Sequence, residues 1–244
     1  RTALSRCRVD LEGAQTPQPH CARSGIPPFG RGVQSGGAGL RAGVARRPLL
    51  IHTSPVKPSL VIIGLGNPGA QYAETRHNLG FRAVDLLAVK SGEGKPFDAT
   101  QAQWQDKQKF LAQTCEVHIA EVPVLLVKPQ TFMNRSGECV RKVTDFFKLD
   151  TQKQLRVISD DIDLPLGEIR FRENGGPGTH NGLKSVVEQI GEGFPRLRIG
   201  LGTPPAGTDL AAWVLSIPSK EEVETLKRKL SGVSRHVETF LKTS

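Results

Sequence analysis

The sequence predicts an α/β protein: a single three-layer domain with a central mixed β-sheet flanked by helices, preceded by an N-terminal extension. Short apolar runs rich in β-branched residues, beginning with LVII at residues 60–63, have the composition of buried strands. Segments with apolar residues three and four positions apart alternate with these runs, which is typical of amphipathic helices between strands. Several connections are short enough for hairpins. We therefore expect antiparallel as well as parallel pairs in the sheet.

The strand at residues 60–63 is followed by a turn rich in Gly and Pro and then by a helix from Leu79. Residues 91–102 read as a loop. The pattern then predicts, in order, strands at residues 110–119 and 122–127, a helix from about Ser136, strands at 155–159 and 168–172, a helix at 183–190 and a strand at 196–201. In the helix from Ser136, the predicted buried residues are Val140, Val143, Phe146 and Phe147.

The last predicted element is a helix over residues 219–242. It begins with a capping box, Ser219 and Glu222, and continues with apolar residues at spacings of three and four. Such a narrow apolar stripe predicts packing against the body of the domain.

Residues 1–58 form the predicted extension, and residues 59–244 the folded domain. The extension is rich in Arg, Gly and Pro without apolar periodicity, so we expect it to be disordered. Its composition fits either an organelle transit peptide or translated sequence upstream of the true start. Asp10, Glu12 and the high Gly and Pro content slightly favour the second alternative.

Charge and cysteine content narrow the function classes. Residues 1–57 contain nine Lys/Arg and two acidic residues, so they contribute +7 of the net charge of +9. The rest of the chain is therefore nearly neutral, and any nucleic-acid site in the domain must be a local basic patch. The four cysteines show no C-x-x-C spacing, so zinc and redox motifs are unsupported. No apolar run reaches the roughly 18 residues of a membrane span.

The stretch GLGNPGAQYAETRHN after the first strand places several polar residues at a strand end, where α/β proteins bind ligands. It matches G-x-G-x-x-G, a dinucleotide fingerprint, but Pro68 lacks an N–H for a pyrophosphate and no acidic residue ends a second strand at the required distance. His77 lies just before the helix. A helix N-terminus should keep its imidazole neutral and suited to act as a general base.

Other polar groups complete a candidate site. Asp160, Asp161 and Asp163 follow a predicted strand and could orient a histidine, bind Mg²⁺ or form a solvated turn. Amides can hold a water and a carbonyl without adding charge, and the chain has three candidates in polar motifs: Asn67, Asn134 and Asn181. Arginines alternate with apolar residues on two strands, where they could grip phosphate or simply face solvent: Arg170, Arg172, Arg196 and Arg198.

Four blocks in a fixed order, GLGNPG with TRHN, KPQTFMNRSG, ISDDIDLP and GPGTHNGLK, resemble the bacterial-type peptidyl-tRNA hydrolase family. The resemblance spans about residues 60–242. It implies that His77 is the catalytic base and selects Asp160 among the three aspartates as its partner. It also implies that Asn134 contacts the substrate's main chain and carbonyl, Asn67 the ester end and Asn181 the water.

The resemblance further implies a substrate-binding surface. Phe132 and Met133 would wall a peptide groove, although core packing is an equal alternative, and Tyr72 would lie beside the catalytic histidine. Arg172 and Arg198 would clamp a tRNA phosphate, with Lys184 adding to the patch. Pro177 and Thr179 stand where the family often has smaller or different residues. His180 is expected to serve structure rather than catalysis.

The function that follows is hydrolysis of the ester between peptide and tRNA in peptidyl-tRNA, which recycles tRNA from stalled translation. The expected partners are the tRNA acceptor stem and the nascent peptide, bound by a monomer that needs no cofactor, metal or membrane. The expected compartment is the cytoplasm, or an organelle if residues 1–58 are a transit peptide. The main alternative is a non-catalytic relative that binds RNA as an organellar group II intron splicing factor, and a dinucleotide oxidoreductase is a distant third.

Overall fold

A computed structural model describes residues 57–90 and 103–243. Residues 1–56 of the predicted extension and the whole predicted loop at residues 91–102 lie outside the described residues, so both remain predictions. Within the described part, seven strands form one sheet: β1 (Leu60–Gly64), β2 (Gln105–Lys107), β3 (Ala112–Ile119), β4 (Val122–Pro129), β5 (Leu155–Asp161), β6 (Ile169–Arg172) and β7 (Arg196–Gly200). The α-helices there are α1 (Leu79–Lys90), α2 (Ser136–Phe147), α3 (Thr151–Gln154), α4 (Asn181–Ile190), α5 (Leu210–Val214) and α6 (Lys220–Thr243).

The sheet is mixed, as predicted. Its strand order is β2-β3-β4-β1-β5-β7-β6. The four central strands, β4, β1, β5 and β7, run parallel, and antiparallel pairs close both edges: β2 with β3, β3 with β4, and β6 with β7. β1 lies between β4 and β5. After β1 the chain forms β2, β3 and β4 on one side of it, and then β5 on the other side. The carboxyl ends of β1 and β5 therefore form a crevice of the kind in which α/β proteins bind ligands.

Helices cover both faces of the sheet, which gives the predicted three layers. Leu60 and Ile62 of β1 join a core with α1 and α6, whereas Val61 and Ile63 join a second core with α2 and α4. This alternation follows from the two-residue period of a strand, and it makes β1 buried on both faces.

The structure corrects several details of the predicted elements. Phe146 is 47% exposed rather than buried, and it packs edge-on against Phe110 in the last turn of α2, at the periphery. Phe110 belongs to a short 3-10 turn rather than to β3. The edge strand β2 and the short helices α3 and α5 were not predicted, because each has too few residues to show a period.

Two further sequence-based expectations concern cysteines and membranes. Cys115 and Cys139 are buried free thiols. Among the helices of the described ranges, none is long and apolar enough to cross a membrane.

Candidate active site

A glycine at the end of β1 and another in the first turn of α1 allow close packing between the two elements. A Cβ on Gly80, in the first turn of α1, would lie 2.4 Å from backbone atoms of Leu65 and 2.6 Å from the carbonyl oxygen of Ile158. A Cβ on Gly64 would lie 2.2 Å from the carbonyl oxygen of Gly80. Only glycine fits at either position. The motif therefore brings the start of α1 against the carboxyl ends of β1 and β5, which argues against a dinucleotide cradle.

His77 sits in a 3-10 turn, Arg76–Asn78, which leads directly into α1. Its Nδ1 lies 2.9 Å from Oδ2 and 3.0 Å from Oδ1 of Asp160, at the end of β5. Both side chains are buried, with 8% and 3% of their residue surface exposed. Because a carboxylate can only accept, Nδ1 carries the proton and donates it, and Nε2 keeps its lone pair. Among three neighbouring aspartates, the structure thus pairs His77 with the one that the family resemblance selects.

A second histidine shares the same carboxylate, which the sequence did not predict. Nε2 of His180 donates to Oδ1 of Asp160 at 3.1 Å, and its Nδ1 accepts the backbone N–H of Leu183 at 3.2 Å. His180 is the N-cap of α4, so this contact joins α4 to the His77–Asp160 pair. The two imidazole rings lie 4.8 Å apart between centroids. The expected structural role of His180 thus includes fixing the orientation of Asp160.

The pKa of His77 differs from the expectation based on the N-terminus of α1. Burial lowers the pKa of His77, but the charge of Asp160 and its hydrogen bond to the ring outweigh burial, so the pKa lies above its ordinary value. Burial raises the pKa of Asp160, and the two histidines reverse this effect and hold it well below the usual range. The expectation that the helix N-terminus dominates was wrong, because a carboxylate at 2.9 Å interacts more strongly than a helix end.

The other two aspartates have different surroundings. Asp161 is buried and forms an ion pair with the guanidinium of Arg198, and its Oδ1 accepts the backbone N–H of Asp163 in a local turn. Asp163 itself is exposed. The three carboxylates are thus divided among a histidine pair, an arginine and solvent, which does not resemble a shared Mg²⁺ site.

One group in the described part of the chain has donor atoms close enough to hold a common ion: His77, Asp160 and His180, within 4.8 Å of one another. Both histidine nitrogens that face the carboxylate lie at hydrogen-bond distance from it. Each contact in the group is accounted for by an N–H donor and a carboxylate acceptor.

Asn67, three residues after the end of β1, is held by hydrogen bonds from two other parts of the site. The side chain of Asn78 contacts both backbone groups of Asn67: its Oδ1 accepts the N–H at 2.8 Å and its Nδ2 donates to the carbonyl at 3.0 Å. The side-chain Oδ1 of Asn67 accepts the backbone N–H of Met133 at 2.8 Å. This bond assigns the amide orientation and leaves Nδ2 as the donor that Asn67 can offer to a ligand.

Met133 and Phe132 differ in their surroundings. Met133 is buried in the core that includes α2 and α4, and its sulfur packs close to Gly182. Phe132 is 55% exposed and meets the ring of Tyr72 edge-on, with 6.3 Å between centroids. Core packing therefore describes Met133, while Phe132 and Tyr72 remain available at the surface. Asn134 follows Met133 in a 3-10 turn and is itself exposed.

A cavity of about 520 Å³ opens beside the histidine pair. Of the predicted site residues, it is lined by His77, Asp160, Asn181, Arg172 and Arg198. The predicted residues that do not line it are Asn67, Asn134, Tyr72, Phe132, Met133 and Lys184. The loop residues Pro177 and Thr179 also line the cavity, and so does α5.

The four arginines share a face of the β6–β7 pair, as alternation predicted, but they differ in burial. Arg170 lies opposite Arg198, and Arg172 opposite Arg196. Arg172 is exposed, whereas Arg196 is 2% exposed and donates to the backbone carbonyls of Gly176 and Glu192. The alternative in which all four arginines face solvent therefore does not hold for Arg196, which is buried and holds the loop that precedes α4.

Arg76, to which the sequence assigned no role, anchors the turn that carries His77. Its guanidinium donates to Oγ of Ser216 at 2.6 Å, pairs with Glu222 at 2.7 Å and lies over the ring of Trp213. Glu222 is also the capping-box residue of α6, since it accepts the N–H of Ser219. The only sequence feature that could have drawn attention to Arg76 was its position next to His77 in the TRHN block. Its partners, about 140 residues away, could not be read from the sequence.

Comparisons with known proteins place the chain in a family. The family model described as peptidyl-tRNA hydrolase matches residues 61–244. The chain belongs to this family. It is 43% identical over 184 residues to a peptidyl-tRNA hydrolase of Chloroflexus aurantiacus, covering 75% of this chain and 92% of that protein. It is 46% identical over 184 residues to one of Alkaliphilus oremlandii, with the same coverage.

Solved structures give the same assignment. The crystal structure of peptidyl-tRNA hydrolase from Acinetobacter baumannii matches with a TM-score of 0.68 and 33% identity, covering 75% of this chain and 89% of that one. The peptidyl-tRNA hydrolase fold and an ester hydrolase activity are thus confirmed for this chain, and the enzyme is favoured over the splicing-factor alternative.

Proposed function

We propose that this chain hydrolyses the ester between peptide and tRNA with His77 as general base and Asp160 as its orienting partner. The observation that carries the proposal is the 2.9 Å contact between Nδ1 of His77 and Asp160. In the neutral ring this contact places the proton on Nδ1 and leaves Nε2 unprotonated, on a residue that lines the cavity.

The reaction then follows from the geometry and the charge. Nε2 of His77 takes a proton from a water, and the water oxygen attacks the ester carbonyl carbon. The resulting imidazolium is stabilised by the buried carboxylate, which itself remains ionised. When the tetrahedral intermediate collapses, the bond from carbon to the ribose oxygen breaks. That oxygen takes the proton back from His77, so the base is regenerated.

Three amides are proposed to hold the reacting groups. Nδ2 of Asn67 is oriented as a donor because Oδ1 is engaged by Met133, and it would bind the ester end. Asn134 would contact the peptide main chain and carbonyl, with Phe132 and Tyr72 beside it at the surface. Asn181 lines the cavity at the start of α4 and would hold the water.

Arg172 and Arg198 are proposed to bind a phosphate of the tRNA acceptor stem. Both line the cavity, Arg172 is exposed, and guanidinium groups match phosphate oxygens bidentately. Arg198 is paired with Asp161, so a bound phosphate would have to share it with that carboxylate. Lys184 is exposed on α4 outside the cavity lining, and we propose a more distant contact for it.

We propose that the protein is a monomer, and sedimentation at micromolar concentration would test it. We propose the cytoplasm as the compartment, with a mitochondrion or chloroplast as the alternative if residues 1–58 are a transit peptide. Fractionation of cells that produce the full chain would distinguish the two.

The proposal is tested with purified protein and peptidyl-tRNA in the presence of a chelator. We expect free peptide and intact tRNA, and no product from the His77→Ala variant above a low background. A wild-type protein that binds peptidyl-tRNA and leaves the ester intact would instead indicate the splicing-factor alternative. Activity that requires an added divalent ion would contradict the histidine mechanism as stated.

A further inference from the structure

A second cavity, of about 430 Å³, lies between the sheet and the C-terminal part of α6. Its lining includes Arg156, near the amino end of β5, and Ile158, in the middle of that strand, whereas Asp160 is near the carboxyl end. No residue lines both cavities. The proposed hydrolysis assigns no role to this second cavity.

The walls are mainly apolar. The sheet side consists of residues from three parallel strands and the edge strand: Leu60, Ile62, Ile158, Leu197 and Phe171. The opposite side is the outer part of α6, with Val237, Thr239 and Phe240. Such walls suit the hydrocarbon part of a ligand, and the volume lies within the usual range of small-molecule sites, about 300–1,000 Å³.

One wall carries a buried cation. Arg156 is 7% exposed, and its guanidinium lies 3.4 Å from the ring centroid of Phe240. Nη1 donates to the backbone carbonyls of Gln152 and Leu155, whereas Nε is buried and has no hydrogen-bond partner. Burial lowers the pKa of Arg156 to about 10, so the group is still charged at neutral pH. A buried charged donor without an acceptor is costly unless a ligand supplies one.

The charges around the cavity have one sign. Arg235 and His236 of α6 also line it, and the lining residues in the described part of the chain include no carboxylate. An anion could therefore contact Arg156 and Arg235 without meeting a like charge.

We propose that this cavity is a second binding site, which takes a small amphipathic carboxylic acid. The carboxylate would accept from the Nε edge of Arg156 and from Arg235, and the hydrocarbon part would lie against Leu60, Ile62 and Leu197. A carboxylate fits because its two oxygens match the fork of a guanidinium edge. A single anionic head with an apolar body also matches the arrangement of one charged end and apolar walls.

The first test uses the full wild-type chain and needs no substitution. Octanoate and octylammonium have the same hydrocarbon chain and opposite charge, and both are titrated by calorimetry at neutral pH. We expect octanoate to bind at least about tenfold more tightly, the effect of one charge-assisted hydrogen bond. Equal affinity for the two probes, or no binding of octanoate at millimolar concentration, would overturn the proposal.

The second test locates the site with exposed residues of α6. Arg235→Gln should weaken octanoate binding several-fold and Thr239→Trp, which fills the mouth of the cavity, should abolish it. Arg228→Gln is the matched control, because it removes an exposed arginine from the same helix outside the cavity. Arg156→Gln should cost about tenfold or more in affinity.

These variants leave the proposed catalytic residues intact, so each protein can first be shown to be folded by its hydrolysis of peptidyl-tRNA. Octanoate binding that survives Thr239→Trp in an active protein would place the ligand elsewhere, for example at Arg172 in the first cavity, and would refute the second site. The outcome does not depend on whether the proposed mechanism at His77 is correct.

Discussion

The carboxylate of Asp160 lies 2.9 Å from Nδ1 of His77, although 83 residues separate them in the chain. The same carboxylate also accepts a hydrogen bond from His180. Two N–H donors hold its plane, and it in turn fixes the tautomer of His77 with Nε2 as the free base. The proposed activity of this chain depends first on this contact.

His77→Ala removes the proposed base. We expect turnover to fall by about 10²- to 10⁴-fold, the usual worth of general-base catalysis, with tRNA binding nearly unchanged. Single-turnover hydrolysis and filter binding measure the two effects separately. A variant that retains most of its turnover would show that another group activates the water.

The pH dependence should report the raised pKa of His77. Because the base acts when unprotonated, kcat/KM should rise with pH through a pKa above the ordinary value of about 6.5. In Asp160→Asn the carboxylate charge is gone and burial, which lowers the pKa, remains. The acidic limb should therefore move to lower pH while the plateau falls, though less than in His77→Ala because an imidazole is still present.

A shift of the acidic limb together with a lower plateau indicates a carboxylate that acts on the imidazole. A merely structural carboxylate would lower the plateau and leave the limb in place. His180→Gln is a useful comparison. It removes the second donor to Asp160 without changing the charge of the carboxylate, so its acidic limb should remain closer to that of the wild type.

Arg172→Ala and Arg198→Ala should each raise KM for peptidyl-tRNA with little change in kcat, since phosphate binding is shared by ground and transition states. Each lost contact should also flatten the log–log salt dependence by roughly 0.7–0.9. A short peptidyl ester without the tRNA body is the control substrate, and it should be cleaved equally by wild type and variants. Equal losses on both substrates would show that the arginines support the fold.

The ion pair between Arg198 and Asp161 adds a prediction of opposite sign. Asp161→Asn removes a negative charge beside the proposed phosphate site, so KM for peptidyl-tRNA should fall or stay constant. A marked rise in KM would mean that Asp161 positions Arg198 and is needed for the clamp.

Gly80→Ala tests the close approach of α1 to the two central strands. Its Cβ would meet the backbone of Leu65 at 2.4 Å, so unfolding in urea should show a loss of about 1–3 kcal/mol or more. Gly232→Ala in α6 is the matched control, because its Cβ would meet a side-chain atom of Ile169 at an ordinary 3.4 Å. Removing a glycine from a helix should there stabilise the protein by about 0.5–1 kcal/mol.

A protein that begins at Pro58 should unfold at the same temperature and hydrolyse peptidyl-tRNA at the same rate as the full chain, because residues 1–57 show no core-forming pattern. Thermal melting and initial rates check this. A lower melting temperature or slower turnover would show that the extension contributes to the domain, whether or not it also serves as a transit peptide.

Much of the fold followed from local sequence patterns. Residues 60–63 are apolar at every position and read as a buried strand, which they are. The three- and four-residue spacings placed α1, α2 and α6 within a few residues of their bounds. The position of His77 before a helix was also readable, because a turn and the helix that follows it are adjacent in the chain.

The partners of those residues were decided by tertiary structure. Asp160, Asp161 and Asp163 are equivalent in the sequence, and family resemblance rather than residue chemistry selected the first. The register of β1 on β5, with Gly64 opposite Ile158, and the close contact at Gly80 set Asp160 beside His77. The pairing of β5, β7 and β6 likewise places Asp161 beside Arg198. It buries Arg196 and leaves Arg172 exposed. A local pattern specifies which face a side chain takes, but the group opposite it depends on strands and helices brought together from distant parts of the chain.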